Sequence, residues 1–285
     1  MTFINDVILY ADDTSILLND KDPISLINRT KDTITKFHQW CIFNKILLNI
    51  DKSRIILFSK FDQRLQFCVN NVILPIDTNM KVLGINIDNK LKFIVHIEIL
   101  SKKLSSVLFL LRTLKNSVSA NVLKTIYYAR FYSLMTYGIL LWGHLPAAKR
   151  IFILQKKAVR LLVYDAKKCV NFSCRGLFKR HGLLTLTSAY VLSAVNFLTT
   201  RPQITESNTV QHSYSTRQFA KLCLPKYKAD YLGKGCLCSA LRVYNHLPSR
   251  LTEPESVTSS LKNIKSFLKE KEYYNVQDFF NDKIL

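Results

Sequence analysis

Val7-Ile8-Leu9-Tyr10-Ala11-Asp12-Asp13-Thr14-Ser15-Ile16-Leu17-Leu18 is the stretch on which the fold turns. Two short runs rich in Ile, Leu, Val and Tyr flank a pair of acidic residues. That pattern predicts a β-hairpin with Asp12 and Asp13 at its tip. Adjacent carboxylates on a tight turn offer oxygen ligands to a hard cation such as Mg²⁺. Successive strand side chains face opposite ways, so an extended chain aims only one of the two at a shared site. Asp12 is the first candidate ligand and Asp13 the second. The same pair also suits an ordinary polar hairpin turn.

Working outward, no third carboxylate is in reach. Two-metal phosphoryl transfer needs two cations roughly 3.5–4 Å apart. Asp6 shares strand parity with Asp12, but six residues of strand span about 20 Å. Asp20 lies a similar distance down the return strand.

Asp22-Pro23 opens a predicted helix, with Asp22 as cap and Pro23 at the first helical position. Ile27, Ile34, Phe37 and Cys41 fall on one face, with Trp40 beside it. Next, Ile46–Leu48 and Ile55–Phe58 read as strands around a turn from Asn49 to Arg54. Leu65 to Leu74 reads as a hairpin turning at Asn70-Asn71. Lys81 to Asp88 alternates as a half-buried strand, with Gly84 marking a bulge or close approach.

From Ile94 the period becomes helical. Leu100, Leu104, Val107, Leu108 and Leu111 form one row. A second helix is predicted from Ser119 through Val122, Ile126 and Ala129. Gly138 and Gly143 mark helix ends or close packing. A third helix, Lys149 to Tyr164, places Ile151, Leu154, Ala158, Leu161 and Leu162 on its apolar face. Lys149, Arg150, Lys156, Lys157 and Arg160 lie off that face. These side chains suit phosphate contact without base readout, or a merely solvated surface. Leu183–Leu198 and Leu261–Lys271 read as further helices, and Thr199–Asn208 as a polar linker.

Taken in order, Tyr10-Ala11-Asp12-Asp13, Leu48-Asn49-x-x-Lys52 with Phe58, Leu83-Gly84-Ile85, the helical stretch and Gln155-Lys156-Lys157-Ala158-x-Arg160 resemble the reverse transcriptases of LINE-type (non-LTR) retrotransposons. The resemblance runs from Asp6 to about Leu251. It implies a polymerase palm whose hairpin holds Mg²⁺ through Asp12 and Asp13, with Tyr10 as a nucleotide contact. It implies that Lys52 meets the departing pyrophosphate as charge partner or proton donor; a solvated turn lysine is the plainer reading. Leu83 and Gly84 would belong to the primer grip. The implied partners are an RNA template, a DNA primer and deoxynucleoside triphosphates. In this family the remaining palm carboxylate and the fingers lie upstream of the hairpin. The chain starts at Met1, so both are expected to be missing, and this chain alone is expected not to polymerise.

Composition agrees with a nucleic-acid protein. The 285 residues carry 41 Lys and Arg against 20 Asp and Glu, net +21. Residues 1–90 hold 11 basic and 10 acidic side chains, leaving 30 and 10 for residues 91–285. A basic excess confined to the second part favours polyanions. Seven Cys, an odd number, without a signal peptide point to a reduced intracellular compartment, nucleus or cytoplasm, not secretion. Their spacing does not match a zinc site. The most apolar run, Phe131–Trp142, is too short to span a membrane.

The expected fold is α+β: a partial antiparallel palm sheet with hairpins (1–90), a helical thumb-like region (91–165) and a basic, mostly helical region (166–285). The expected activity is that of a piece of an RNA-directed DNA polymerase. The alternatives are a non-catalytic nucleic-acid-binding remnant and an inert relic.

Overall fold

The structure is a computed structural model that describes residues 6–58, 66–69, 72–163, 174–204, 221–225, 235–252 and 257–282. It is α+β, with helices predominating and, among the described residues, the strands lying in the first part. The chain forms two compact units, Met1–Leu91 and Lys92–Leu285.

In the first unit, β1 (Asp6–Tyr10) and β2 (Asp13–Leu17) form the opening hairpin. Helix α1 (Pro23–Phe43) follows, capped by the Asp22 carboxylate, which accepts from the Ser25 amide at 2.8 Å. Its Ile27 and Ile34 pack on a small core of Phe67, Val69 and Leu74, joined by Leu48, Ile50, Ile55 and Ile76.

The remaining strands are short. β3 (Ile55–Ile56) pairs parallel with β6 (Ile76–Asp77). β4 (Phe67–Val69) pairs antiparallel with β5 (Val72–Leu74). The predicted Asn70-Asn71 turn between these last two lies outside the described residues. β7 (Asn79–Val82) and β8 (Ile85–Asp88) form a further hairpin.

Three expectations change here. Instead of one antiparallel sheet, the strands among the described residues form four two-stranded pairs, one of them parallel. Ile46–Leu48 is not a strand, and Leu47 is almost fully exposed. Leu83-Gly84 is not inside a strand but is the turn of the β7–β8 hairpin. Both residues have positive φ, 47° and 84°, the pattern of a type I′ turn whose twist suits a hairpin.

In the second unit, α2 (Ile94–Leu114) buries Ile97, Leu100, Leu104, Leu108 and Leu111. Ser119 caps α3 (Ala120–Ile126). That helix runs into a π-helical turn, Tyr127–Tyr132, and then α4 (Ser133–Thr136). The buried row is therefore Leu123, Tyr127, Phe131 and Met135, spaced by four. The predicted row fails, since Val122 and Ala129 are exposed. A wider turn moves the inward positions away from the 3.6-residue period.

Gly138, at φ 63°, separates α4 from α5 (Ile139–Trp142). A Cβ on Gly143 would sit 2.7 Å from the Ile139 carbonyl oxygen and 3.0 Å from the Tyr190 ring, so the close approach requires glycine.

Helix α6 (Lys149–Leu162) lies against α2. It buries Ile151, Phe152, Gln155, Ala158, Val159 and Leu162, while Leu154 and Leu161 are only half-buried. The apolar face is thus rotated from the predicted one. A short helix α7 (Leu177–His181) leads to the nearly fully buried α8 (Leu186–Thr199). Helices Cys236–His246, Ser249–Thr252, Val257–Lys271 and Val276–Asn281 complete the unit. No helix among the described residues is long and apolar enough to cross a membrane.

Candidate functional site

The β1–β2 ladder runs from Asp6 opposite Leu17 to Tyr10 opposite Asp13. The two-residue turn is Ala11-Asp12. Ala11 has φ 53°, a left-handed conformation that costs a non-glycine residue about 1–2 kcal/mol. Asp13 is not at the tip; it is the first residue of β2, paired with Tyr10. The turn thus gathers Tyr10, Asp12 and Asp13 at one end of the hairpin, all exposed. Strain held at a surface turn that presents a carboxylate is the kind found at functional sites.

The flanking runs are exposed rather than buried: Leu9 is 69% accessible, and Val7, Ile8 and Leu17 are about half accessible. The cause is plain, since the hairpin pairs with no third strand among the described residues.

As oxygen donors, Asp12 and Asp13 match Mg²⁺ in kind. They do not match a two-ion site in number. Among the described residues no group of three or more His, Cys, Asp or Glu side chains could hold a metal ion. Asp6 stands at the far end of the ladder. Asp20 is engaged elsewhere. It accepts from the Ser25 hydroxyl at 2.8 Å and the Asp22 amide at 3.1 Å, and pairs with Arg29 at 3.1 Å. The Ser25 hydrogen bond first, then the Asp22 amide and Arg29, hold its carboxyl down to about 2.

Lys52 ends a 3₁₀ turn, Ile50–Lys52, and its amide donates to the Asn49 side chain at 3.1 Å. The Asn49-x-x-Lys52 spacing therefore has a local cause, a capped turn. The Lys52 side chain is exposed, and among the described residues no hydrogen bond or ion pair joins it to Asp12 or Asp13. Leu83 and Gly84 form the exposed tip of their hairpin.

On α6, Lys149, Arg150, Lys157 and Arg160 are exposed on the side away from the core, around a half-exposed Ile153. Lys156 differs. Its ammonium lies 5.2 Å from the Phe152 ring centre and 5.8 Å from that of Tyr274, a cation–π position that holds the side chain against the protein. Arg175 stacks on the same Tyr274 ring at 5.3 Å. Arg175 stands in a stretch, Cys174 to Arg180, that carries three basic residues around Phe178, whereas nothing in the sequence pointed to Tyr274.

Gln155 is the largest departure. The sequence groups it with Lys156 and Lys157, yet it is fully buried. Its amide nitrogen donates to the Tyr127 hydroxyl (3.1 Å) and the Leu184 carbonyl (2.9 Å), and its oxygen accepts from the Leu186 amide (2.8 Å). It ties α6 to the π turn and to the start of α8.

Comparison of the chain with protein-family models, with curated proteins and with solved structures finds no match.

Proposed function

We propose that this chain carries part of an RNA-directed DNA polymerase site, together with a basic helical unit that grips nucleic acid. The observation that carries the reading is the β1–β2 turn. It brings Asp12, Asp13 and Tyr10 to one end of a hairpin whose first strand carries Val7, Ile8, Leu9 and Tyr10 in succession, apolar on both faces as strands inside a larger sheet are. The ordered resemblance to LINE-type reverse transcriptases supports it. Asp12, with Asp13 second, would hold Mg²⁺, which supplies Lewis-acid activation and charge stabilisation when bound. A further carboxylate from another strand is required. RNA template, DNA primer and deoxynucleoside triphosphates are the partners of the completed site, with Lys52, Leu83 and Gly84 as accessory contacts.

A second reading, a non-catalytic nucleic-acid grip, is favoured by the exposed Lys149, Arg150, Lys157 and Arg160 and by the net +20 of residues 91–285. Primer extension separates the two. The chain alone is expected to extend nothing. Joined to a palm segment that supplies the missing carboxylate, it is expected to extend a DNA primer on RNA, and Asp12→Asn is expected to abolish that. Extension that survives Asp12→Asn refutes the enzyme reading. Duplex binding without extension supports the second.

A further inference from the structure

The π-helical turn Tyr127–Tyr132 points Tyr127 and Phe131 into the core and leaves Tyr128 and Tyr132 together on its other side. Their rings meet edge to face, 5.4 Å apart. They line a cavity of about 140 Å³ with Gly182 and Leu184, just after α7, and with Lys265 and Lys269 of the helix Val257–Lys271. π turns are rare and concentrate at functional sites.

The lining has one sign of charge. Lys265 and Lys269, four residues apart on one helix, repel each other. Neither forms an ion pair among the described residues, and no carboxylate lines the cavity. A Cβ on Gly182 would stand 3.9 Å from the Lys269 ammonium, which places that charge beside the end of α7. Nearby, Lys124 donates to the His181 carbonyl oxygen at 2.8 Å, adding a further cation. Burial, reinforced by Tyr128, pushes the Tyr132 hydroxyl up to about 12, and burial also raises that of Tyr128. Both phenols therefore stay neutral and able to donate. Two ammoniums and two O–H donors make a seat for a compact anion. At ~30 Å³ per water the cavity has room for four or five waters, which suits a phosphate but not a whole nucleotide.

We infer that this cavity seats one phosphate of a single-stranded polynucleotide. Lys265 and Lys269 are its charge partners, the Tyr128 and Tyr132 hydroxyls are its donors, and the partly exposed Tyr128 ring is a stacking surface for the adjoining base. The strand as source of the phosphate rests on the nucleic-acid reading above; the anion seat does not.

Lysine footprinting of the full chain with acetic anhydride, read by mass spectrometry, tests it. The probes are a ten-thymidine single strand and inorganic phosphate. The strand is expected to protect Lys265 and Lys269 several-fold, along with Lys149 and Lys157. A Lys265→Met/Lys269→Met variant is expected to bind the strand about tenfold more weakly, with a salt slope lower by about 0.7, the share of the one phosphate that the cavity seats. Equal labelling of Lys265 and Lys269 with and without the strand, while Lys149 and Lys157 are protected, overturns the cavity site and leaves the nucleic-acid reading standing. No protection by either probe overturns the cavity site, and the same footprint repeated with an RNA–DNA duplex, if it also protects neither Lys149 nor Lys157, overturns the nucleic-acid reading as well. Protection by inorganic phosphate but not by the strand overturns the assignment to a polynucleotide.

Discussion

Replacing Gln155 by Leu separates the two roles that its sequence neighbourhood confounds. The substitution leaves the Leu186 amide and the Leu184 carbonyl buried without their partner. Each orphaned group costs about 1–3 kcal/mol, and the extra apolar burial returns roughly 1. The expected net loss is about 3 kcal/mol. For a unit of 150–250 residues that lowers the Tm by about 6–12 °C. Trp142 is fully buried in the same unit, so urea unfolding followed by its fluorescence in a Trp40→Phe background reports the change. Tyr127→Phe removes a single bond to Gln155 and should cost about 1 kcal/mol, and the double variant should cost less than the sum. A Gln155→Leu loss below about 0.5 kcal/mol would refute the buried-bridge reasoning and return Gln155 to the surface.

On α6, Lys157→Ala/Arg160→Ala should weaken duplex binding equally across sequences and lower the salt slope by about 1.8, at ~0.9 per phosphate; an unchanged slope removes α6 as a contact surface. Lys156→Ala should instead act mainly on stability, by about 0.5–1 kcal/mol in urea unfolding, since its charge rests on Phe152 and Tyr274. Gly143→Ala should destabilise the second unit by about 1–3 kcal/mol in the Trp142 assay, because the backbone oxygen of Ile139 cannot yield as a flexible side chain would. Asp20 has a depressed carboxyl, about 2 against 3.8, so its stabilisation is present above about pH 4 and is lost as pH falls towards 2. Amide exchange in α1 should therefore be faster in Asp20→Asn than in wild type at pH 5, with the difference gone near pH 2; a constant difference would show that charge is not the cause.

What the sequence disclosed was mostly what local chemistry controls. Asp22-Pro23 announced α1, and Ser119 announced α3, because caps act within one turn. The hairpin strands were written in their β-branched and aromatic runs. What stayed hidden depended on distant partners or on conformations with no residue signature. A type I′ turn ordinarily advertises itself with Asn-Gly or Asp-Gly, and Leu83-Gly84 carries only half of that signal. The π turn has no composition of its own, so the row Leu123–Tyr127–Phe131–Met135 was read at the wrong period. Gln155 entered the reading only as the first residue of the Gln-Lys-Lys run, and its burial was not legible because its three partners come from segments 28 to 31 residues away. At the candidate site, the Tyr-Ala-Asp-Asp run was visible at once. Its exposure was not, because burial depends on which strands pair beside it.

The π turn also sets how this stretch tolerates change in length. It holds one more residue than an α-helical turn would need, and the four-residue spacing of the buried row depends on that surplus. Deleting any one residue between Tyr127 and Tyr132 would let the backbone relax into a regular helix. At about 100° per residue, the eleven residues then separating Leu123 from Met135 complete three turns to within about 20°, so Met135 would stay on the core side. Substitution of a buried member of the row reaches the core directly, whereas the loss of one outward codon would remove the bulge and leave the helix beyond it in register. Along this helix the identity of the inward residues is a tighter constraint than their number.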